Sequence, residues 1–188
     1  MNPQVTNLVM MLGLMQAAKK IPFEDEKILN LLRACYLLSN IIILGIYAYV
    51  GMVINKKNDM TTMKYVEPAA PLSGEEPKAV TTTIKEYDQT QLKAAYKSTL
   101  MGIGMMAFMH IYMKYSNPLF IQSIMPLKSA FESNLVKVHI FGKPAAGDLK
   151  RPWKASGFMG AAGAGETKTD KKSIENAEKV ARGGAKEE

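Results

Sequence analysis

Large apolar side chains are concentrated in three blocks before Leu127, and charge gathers between and after them. In residues 34–54 the run ACYLLSNIIILGIYAYVGMVI holds 21 residues without a charge, bracketed by Arg33 and by Lys56 and Lys57. As an α-helix it would extend about 31 Å against a hydrocarbon core of about 30 Å, which predicts a transmembrane helix. Tyr36, Tyr47 and Tyr49 lie toward its ends, where amphipathic rings favour the interface. The first block, residues 5–18, is only 14 residues long. It predicts a short helix of about 21 Å that crosses a thinned bilayer or lies partly inserted. Lys19, Lys20 and Pro22 close it, and IPFEDEKILNLLR forms a polar link into the long helix.

The third block begins with polar turns. Asp88 or Thr90 would cap a helix QLKAAYKSTLMGIGMMAFMHIYMKY, uncharged from 98 to 113. Asn117-Pro118 breaks it, and a second uncharged run at 115–127 carries Pro126 near its end. A helix, a break and a short apolar return predict a re-entrant hairpin. Between the blocks, MKYVE at 63–67 and AVTTTIKEY at 79–87 flank a loop-like PAAPLSGEEP and predict strands. LVKVHIF at 135–141 alternates in the same way and predicts a third strand pairing with these two.

The divisions are 1–54, a short hydrophobic helix plus the transmembrane helix; 55–97, a polar loop with strands; 98–127, a membrane helix and re-entrant segment; 128–142, a strand region; and 143–188, a basic, largely disordered tail. Residues 55–97 hold seven Lys and no Arg, the chain from Lys128 onward twelve Lys or Arg, and the link at 19–33 four. Positive-inside counting puts the central loop and the tail together in the cytosol; the competing arrangement has three full crossings and a lumenal loop. The fold class is thus mainly α and integral to a membrane, with about three hydrophobic helices, a small cytosolic β-sheet and a flexible basic tail. The first apolar stretch has no positive side chain ahead of it and is expected to be retained rather than cleaved.

Net charge is +7, which favours anionic partners. Chemistry is sparse. The one cysteine, Cys35, lies in an apolar run and reads as a buried thiol, and His110 and His139 are far apart in sequence, so no catalytic, cofactor or metal residues are assigned. The glycines at 160–165 are followed by Glu166 rather than Lys, which removes a phosphate-loop reading. His110 is the intramembrane polar candidate, either handling protons or anions or sitting as a neutral imidazole bonded to a neighbouring helix.

Met101, Met105, Met109 and Met113 recur every four residues with Met106 beside them. Thioethers repack around varied shapes, so these five are candidate contacts for apolar client segments; lipid contact or helix packing is the plainer reading. Ser98 and Gly102 form a small pair suited to close helix contact on another side. In the tail, Lys150, Arg151, Trp153 and Lys154 are candidates for a phosphate-rich surface such as ribosomal RNA or anionic headgroups, against solvated disorder.

The runs NDMTTMKYVEP at 58–68, KYSNPLFIQS at 114–123, FGKPAAGDLKRPWKA at 141–155 and KTDKKSIE at 168–175 closely resemble the fungal inorganic phosphate transport protein family, also known as component three of the SRP-independent (SND) targeting route. The resemblance spans the whole chain. It implies a multi-pass protein of the endoplasmic-reticulum membrane that helps deliver nascent membrane proteins to the translocon channel with other targeting components, and the older name implies phosphate uptake. A targeting role without enzymatic activity is favoured over a phosphate transporter, or a subunit or maturation factor of one. No intramembrane Arg or Lys offers a path for a divalent anion, and the tail would reach the ribosome.

Overall fold

The computed structural model describes residues 3–67, 78–153, 169–170 and 172–177. Among them α1 (Pro3–Ala18), α2 (Glu26–Lys57), β1 (Thr62–Glu67), β2 (Lys78–Thr83), α3 (Ile84–Ala107), a π-helical turn (Phe108–Tyr112), α4 (Asn117–Glu132) and α5 (Asn134–His139) follow in order, then a 3₁₀ turn (Gly147–Leu149). The chain divides into two compact units, Met1–Val53 with Thr90–Phe141, and Ile54–Gln89 with Gly142–Glu188.

The first unit is helical. Leu32, Tyr36, Ser39, Asn40, Ile43, Tyr47 and Val50 are buried on α2, spaced by threes and fours into one stripe. α3 lies antiparallel along it: Arg33 meets His110, and the Tyr47 ring meets Tyr96 edge-on at 5.5 Å. At Gly51 a Cβ would lie 3.2 Å from Leu92 Cδ2, so the missing side chain permits this close approach. α4 runs back beside α2, where the Ser39 hydroxyl shares its proton between Cys35 O at 2.7 Å and Ser123 O at 2.6 Å. Pro126 deprives α4 of one amide donor, and α4 nevertheless continues to Glu132. In an apolar setting a hydroxyl from a neighbouring helix compensates for carbonyls near such a proline. α1 runs opposite to α4: Lys128 Nζ reaches Asn7 Oδ1 at 2.6 Å, while Ile21 and Phe23, just past the other end of α1, pack on the cluster of Leu32, Tyr36, Met106 and Leu119.

The second unit is built on the β1–β2 hairpin, antiparallel from Thr62↔Thr83 to Glu67↔Lys78. Its core gathers Ile54, Val66, Tyr87, Asp88, Trp153 and Ala177.

Several sequence expectations are corrected. The sheet has two strands among the described residues, because LVKVHIF is helix α5 and the region 128–142 is helical. Ser133 caps it, accepting from Val136 N, and Leu135, Val136 and Val138 are all buried. Alternation over the five residues 136–140 does not separate a strand from a short buried helix, and the cap decides here. The second strand stops at Thr83, where α3 begins, earlier than Asp88 or Thr90 would have placed it. The reason is a capping box: Glu86 N donates to Thr83 Oγ1 at 3.2 Å, and Thr83 N donates to Glu86 Oε2 at 3.4 Å. The bond from Thr83 N, with one from Thr82 Oγ1 at 3.1 Å, holds the Glu86 carboxyl below the usual range. Cys35 is exposed rather than buried. The break before Pro118 is present, with Pro118 in the first turn of α4. Residues 160–165 and 178–188 lie outside the described residues.

Candidate functional site

The four-residue methionine spacing does not make one surface. Met101 and Met105 are exposed on α3, Met106 is 1 % exposed within the core, Met109 packs half-buried against that core, and Met113 is exposed beyond the π turn. The π turn holds one residue more than an α-helical turn would, so positions after it are rotated away from the stripe that precedes it. Leu100 and Phe108 are exposed as well and extend the outward apolar surface of this helix.

Exposed large apolar side chains also occur on the other long elements of this unit. Val5, Leu8, Val9 and Leu12 on α1, and Leu31, Leu37, Leu38 and Ile41 on α2, are each at least half exposed. α2 therefore carries apolar residues on its buried and outer faces alike, and among the described residues it is the one helix long and apolar enough to cross a membrane by length and composition.

At the end of the unit where α2 begins and α3 ends, His110 lies between Arg33 and Ser116. Arg33 Nε donates to His110 Nε2 at 2.9 Å, and Ser116 Oγ is 3.0 Å from His110 Nδ1. A guanidinium always donates, so Nε2 carries no proton, and the imidazole is neutral with its N–H at Nδ1 pointing to Ser116. Arg33 Nη1 donates to Asn30 Oδ1 at 2.8 Å. A shallow cleft here has Phe23, Leu29 and Ile111 as its apolar wall and Arg33, His110, Lys114 and Ser116 as its polar one. Sequence reasoning singled out His110 but read Arg33 only as the edge of a span. The antiparallel pairing of α2 with α3, which brings the two together, is the signal that was missing.

The basic cluster of the tail is likewise split. Arg151 makes a bidentate ion pair with Asp88, Nε to Oδ1 at 2.7 Å and Nη2 to Oδ2 at 2.6 Å, and its guanidinium lies 5.0 Å from the Trp153 ring centroid. Trp153 is buried, donates from its backbone N to Tyr87 Oη at 2.6 Å and from Nε1 to Leu149 O at 2.9 Å, and stands edge-on to Tyr87. Burial pushes the Tyr87 hydroxyl up to about 12. Arg151 and Trp153 are thus turned inward, Lys150 is exposed, and Lys154 lies outside the described residues. Among the described residues, no group of three His, Cys, Asp or Glu could hold a metal ion.

The family model described as Phosphate transport (Pho88) matches residues 1–185. The chain belongs to the Pho88 family. It is similar to SRP-independent targeting protein 3 of Saccharomyces cerevisiae, 52% identical over 188 residues, 100% of each chain. It is also similar to a Schizosaccharomyces pombe protein named as a homolog of SRP-independent targeting protein 3, 41% identical over 94% of this chain and 91% of that one. An uncharacterized protein of the same yeast is 54% identical over 81% of this chain and 76% of its own length. No solved structure matches.

The four motifs that carried the Pho88 resemblance fall at turns and clasps. Asn58 Oδ1 accepts from Lys85 Nζ at 2.8 Å and Asp59 Oδ1 from Thr61 N at 3.0 Å, ahead of β1. Lys114 and Ser116 form the turn between the π segment and α4, Arg151 and Trp153 make the clasp, and Asp170 Oδ2 accepts from Ser173 N at 3.0 Å.

Proposed function

We propose that this chain is a non-enzymatic, multi-pass component of SRP-independent protein targeting or insertion at the endoplasmic-reticulum membrane. The observation that carries the reading is the outward apolar surface of the helical unit, where side chains such as Leu37, Ile41, Met101 and Met105 are all about 60 % or more exposed. An apolar exterior this extensive requires lipid or apolar protein around it. The names of the relatives support the targeting role. The antiparallel course of α3 and α4 supports a segment that enters and returns, and the lysine distribution supports a cytosolic side for the hairpin and the tail.

Client apolar segments would meet α3 at Met101 and Met105, with Met113 beyond the turn. Met106 and Met109 serve packing. The translocon channel, other targeting components and the ribosome remain the proposed partners, reached through the hairpin unit and exposed basic residues such as Lys150. Photocrosslinkers at Met101 and Met105 should capture nascent membrane proteins in microsomes more strongly than crosslinkers at Leu8 and Val9. The Met101→Leu/Met105→Leu variant keeps hydrophobicity, so delivery of varied clients should fall more than abundance does. Equal crosslinking at all four positions with unaffected delivery would reduce this face to lipid contact.

The family description favours a second reading, phosphate transport. Purified protein in liposomes separates the two, because saturable phosphate flux would support transport.

A further inference from the structure

The end of the helical unit combines two local departures from ordinary helix structure. α3 widens into a π turn at Phe108–Tyr112. The chain then reverses through Lys114 at φ 53°, with Tyr115 N donating to Met109 O at 3.0 Å. That left-handed position is one where glycine is normally found and where a side chain costs stability. Beside it, Arg33 is held by a neutral His110 and by Asn30, which aims the guanidinium while leaving Nη2 without a hydrogen bond among the described residues. Ser116 completes the polar wall.

The two cations in this cleft, Arg33 and Lys114, have no carboxylate among the lining residues. Both partners of the guanidinium are uncharged, so its positive charge is oriented but not neutralised. The surroundings are those of a bilayer boundary: Ile111 is 75 % exposed and Tyr112 78 %, next to Met113 and Tyr115. Tyr and cationic side chains with apolar neighbours are the usual composition at headgroup level.

We infer that the cleft formed by Arg33, Lys114 and Ser116 binds the phosphate of an anionic phospholipid headgroup. Arg33 Nη2 donates to a phosphate oxygen, Lys114 supplies a second charge from the turn, and the Ser116 hydroxyl donates a further bond. The acyl chains lie along the exposed residues of the π turn. The left-handed lysine is then intelligible, since glycine would relax the turn but remove the charge.

Lys114→Gly is therefore the discriminating variant. Full-length protein in neutral detergent is titrated calorimetrically with short-chain phosphatidic acid, with short-chain phosphatidylcholine and with inorganic phosphate. The wild type should bind phosphatidic acid and not phosphatidylcholine. Lys114→Gly should weaken phosphatidic acid binding roughly tenfold or more, the loss expected of one charge-assisted bond, while its thermal midpoint stays level or rises. Arg33→Gln should weaken binding at least as much, and Lys56→Gln/Lys57→Gln, at the other end of α2, should leave it unchanged. Loss of affinity equal in the Lys56/Lys57 variant would overturn the site, as would unchanged affinity in both Lys114→Gly and Arg33→Gln. Binding of inorganic phosphate as tight as that of phosphatidic acid would overturn the lipid assignment, because the chains would then contribute nothing.

Discussion

Replacing Arg151 by Ala removes one partner from a buried ion pair and leaves the other in place. Asp88 is 1 % exposed, and both carboxylate oxygens accept from the guanidinium. Without it the carboxylate keeps its desolvation and loses its counter-charge, a change that costs about 3–5 kcal/mol in comparable buried pairs. The reverse substitution, Asp88→Ala, should cost less. The Arg151 side chain is 10 % exposed, lies over the Trp153 face and can tilt toward water. The double variant should lose less than the sum of the two single losses, because no buried charge is then uncompensated. Trp153 is the chain's one tryptophan and sits within this clasp, so its emission during urea titration reports the hairpin unit directly. A loss under about 1 kcal/mol for Arg151→Ala, or a larger loss for Asp88→Ala, would refute the argument. The same result would return Arg151 to the surface role that its sequence neighbourhood suggested.

Thr83→Ala removes the hydroxyl that accepts from Glu86 N and should destabilise the start of α3 by about 0.5–2 kcal/mol, seen as faster amide exchange over residues 84–88. Burial pushes the Tyr87 hydroxyl from its ordinary 10 up to about 12, so the folded state holds its proton where the unfolded state releases it. The contribution is therefore complete below pH 10 and lost as pH rises from about 10 to about 12, by up to roughly 3 kcal/mol, a loss that Trp153 emission should follow and Tyr87→Phe should abolish.

The helical part of the fold was legible because its signals are local. The uncharged run of α2 and the Asn117-Pro118 break each act within a few residues, and helix length follows from them. The α3 start was misplaced at Asp88 or Thr90, because a run of β-branched residues masked the spacing of Thr83 and Glu86 that sets it. Residues 135–141 misled because alternation over so few positions is ambiguous and the deciding group, Ser133, precedes the pattern. The Asp88–Arg151 pair joins positions 63 apart, and nothing in either neighbourhood marks the other. Arg151 in a basic stretch reads as surface, since burial of a cation depends on a partner that only the tertiary fold supplies.

The arrangement of polar groups in the helical unit bears on targeting against transport. Ser39, Asn40 and Ser123 are buried there, and each turns its side chain onto a backbone carbonyl: Asn40 Nδ2 to Tyr36 O, Ser123 Oγ to Leu119 O and Phe120 O, and Ser39 Oγ to Cys35 O and Ser123 O. Donors spent on the backbone compact the helices and provide no relay for a hydrated anion, which needs a succession of unspent donors from one side to the other. The cationic side chains with spare donors, Arg33 and Lys114, instead meet at one end, so an anion held there gains no onward partner among the buried groups. Under the proposed reading, anion binding would fall at that end and adaptable apolar contact along the helices, the arrangement expected of a protein that recognises lipid and apolar segments laterally rather than one that conducts a solute through its centre.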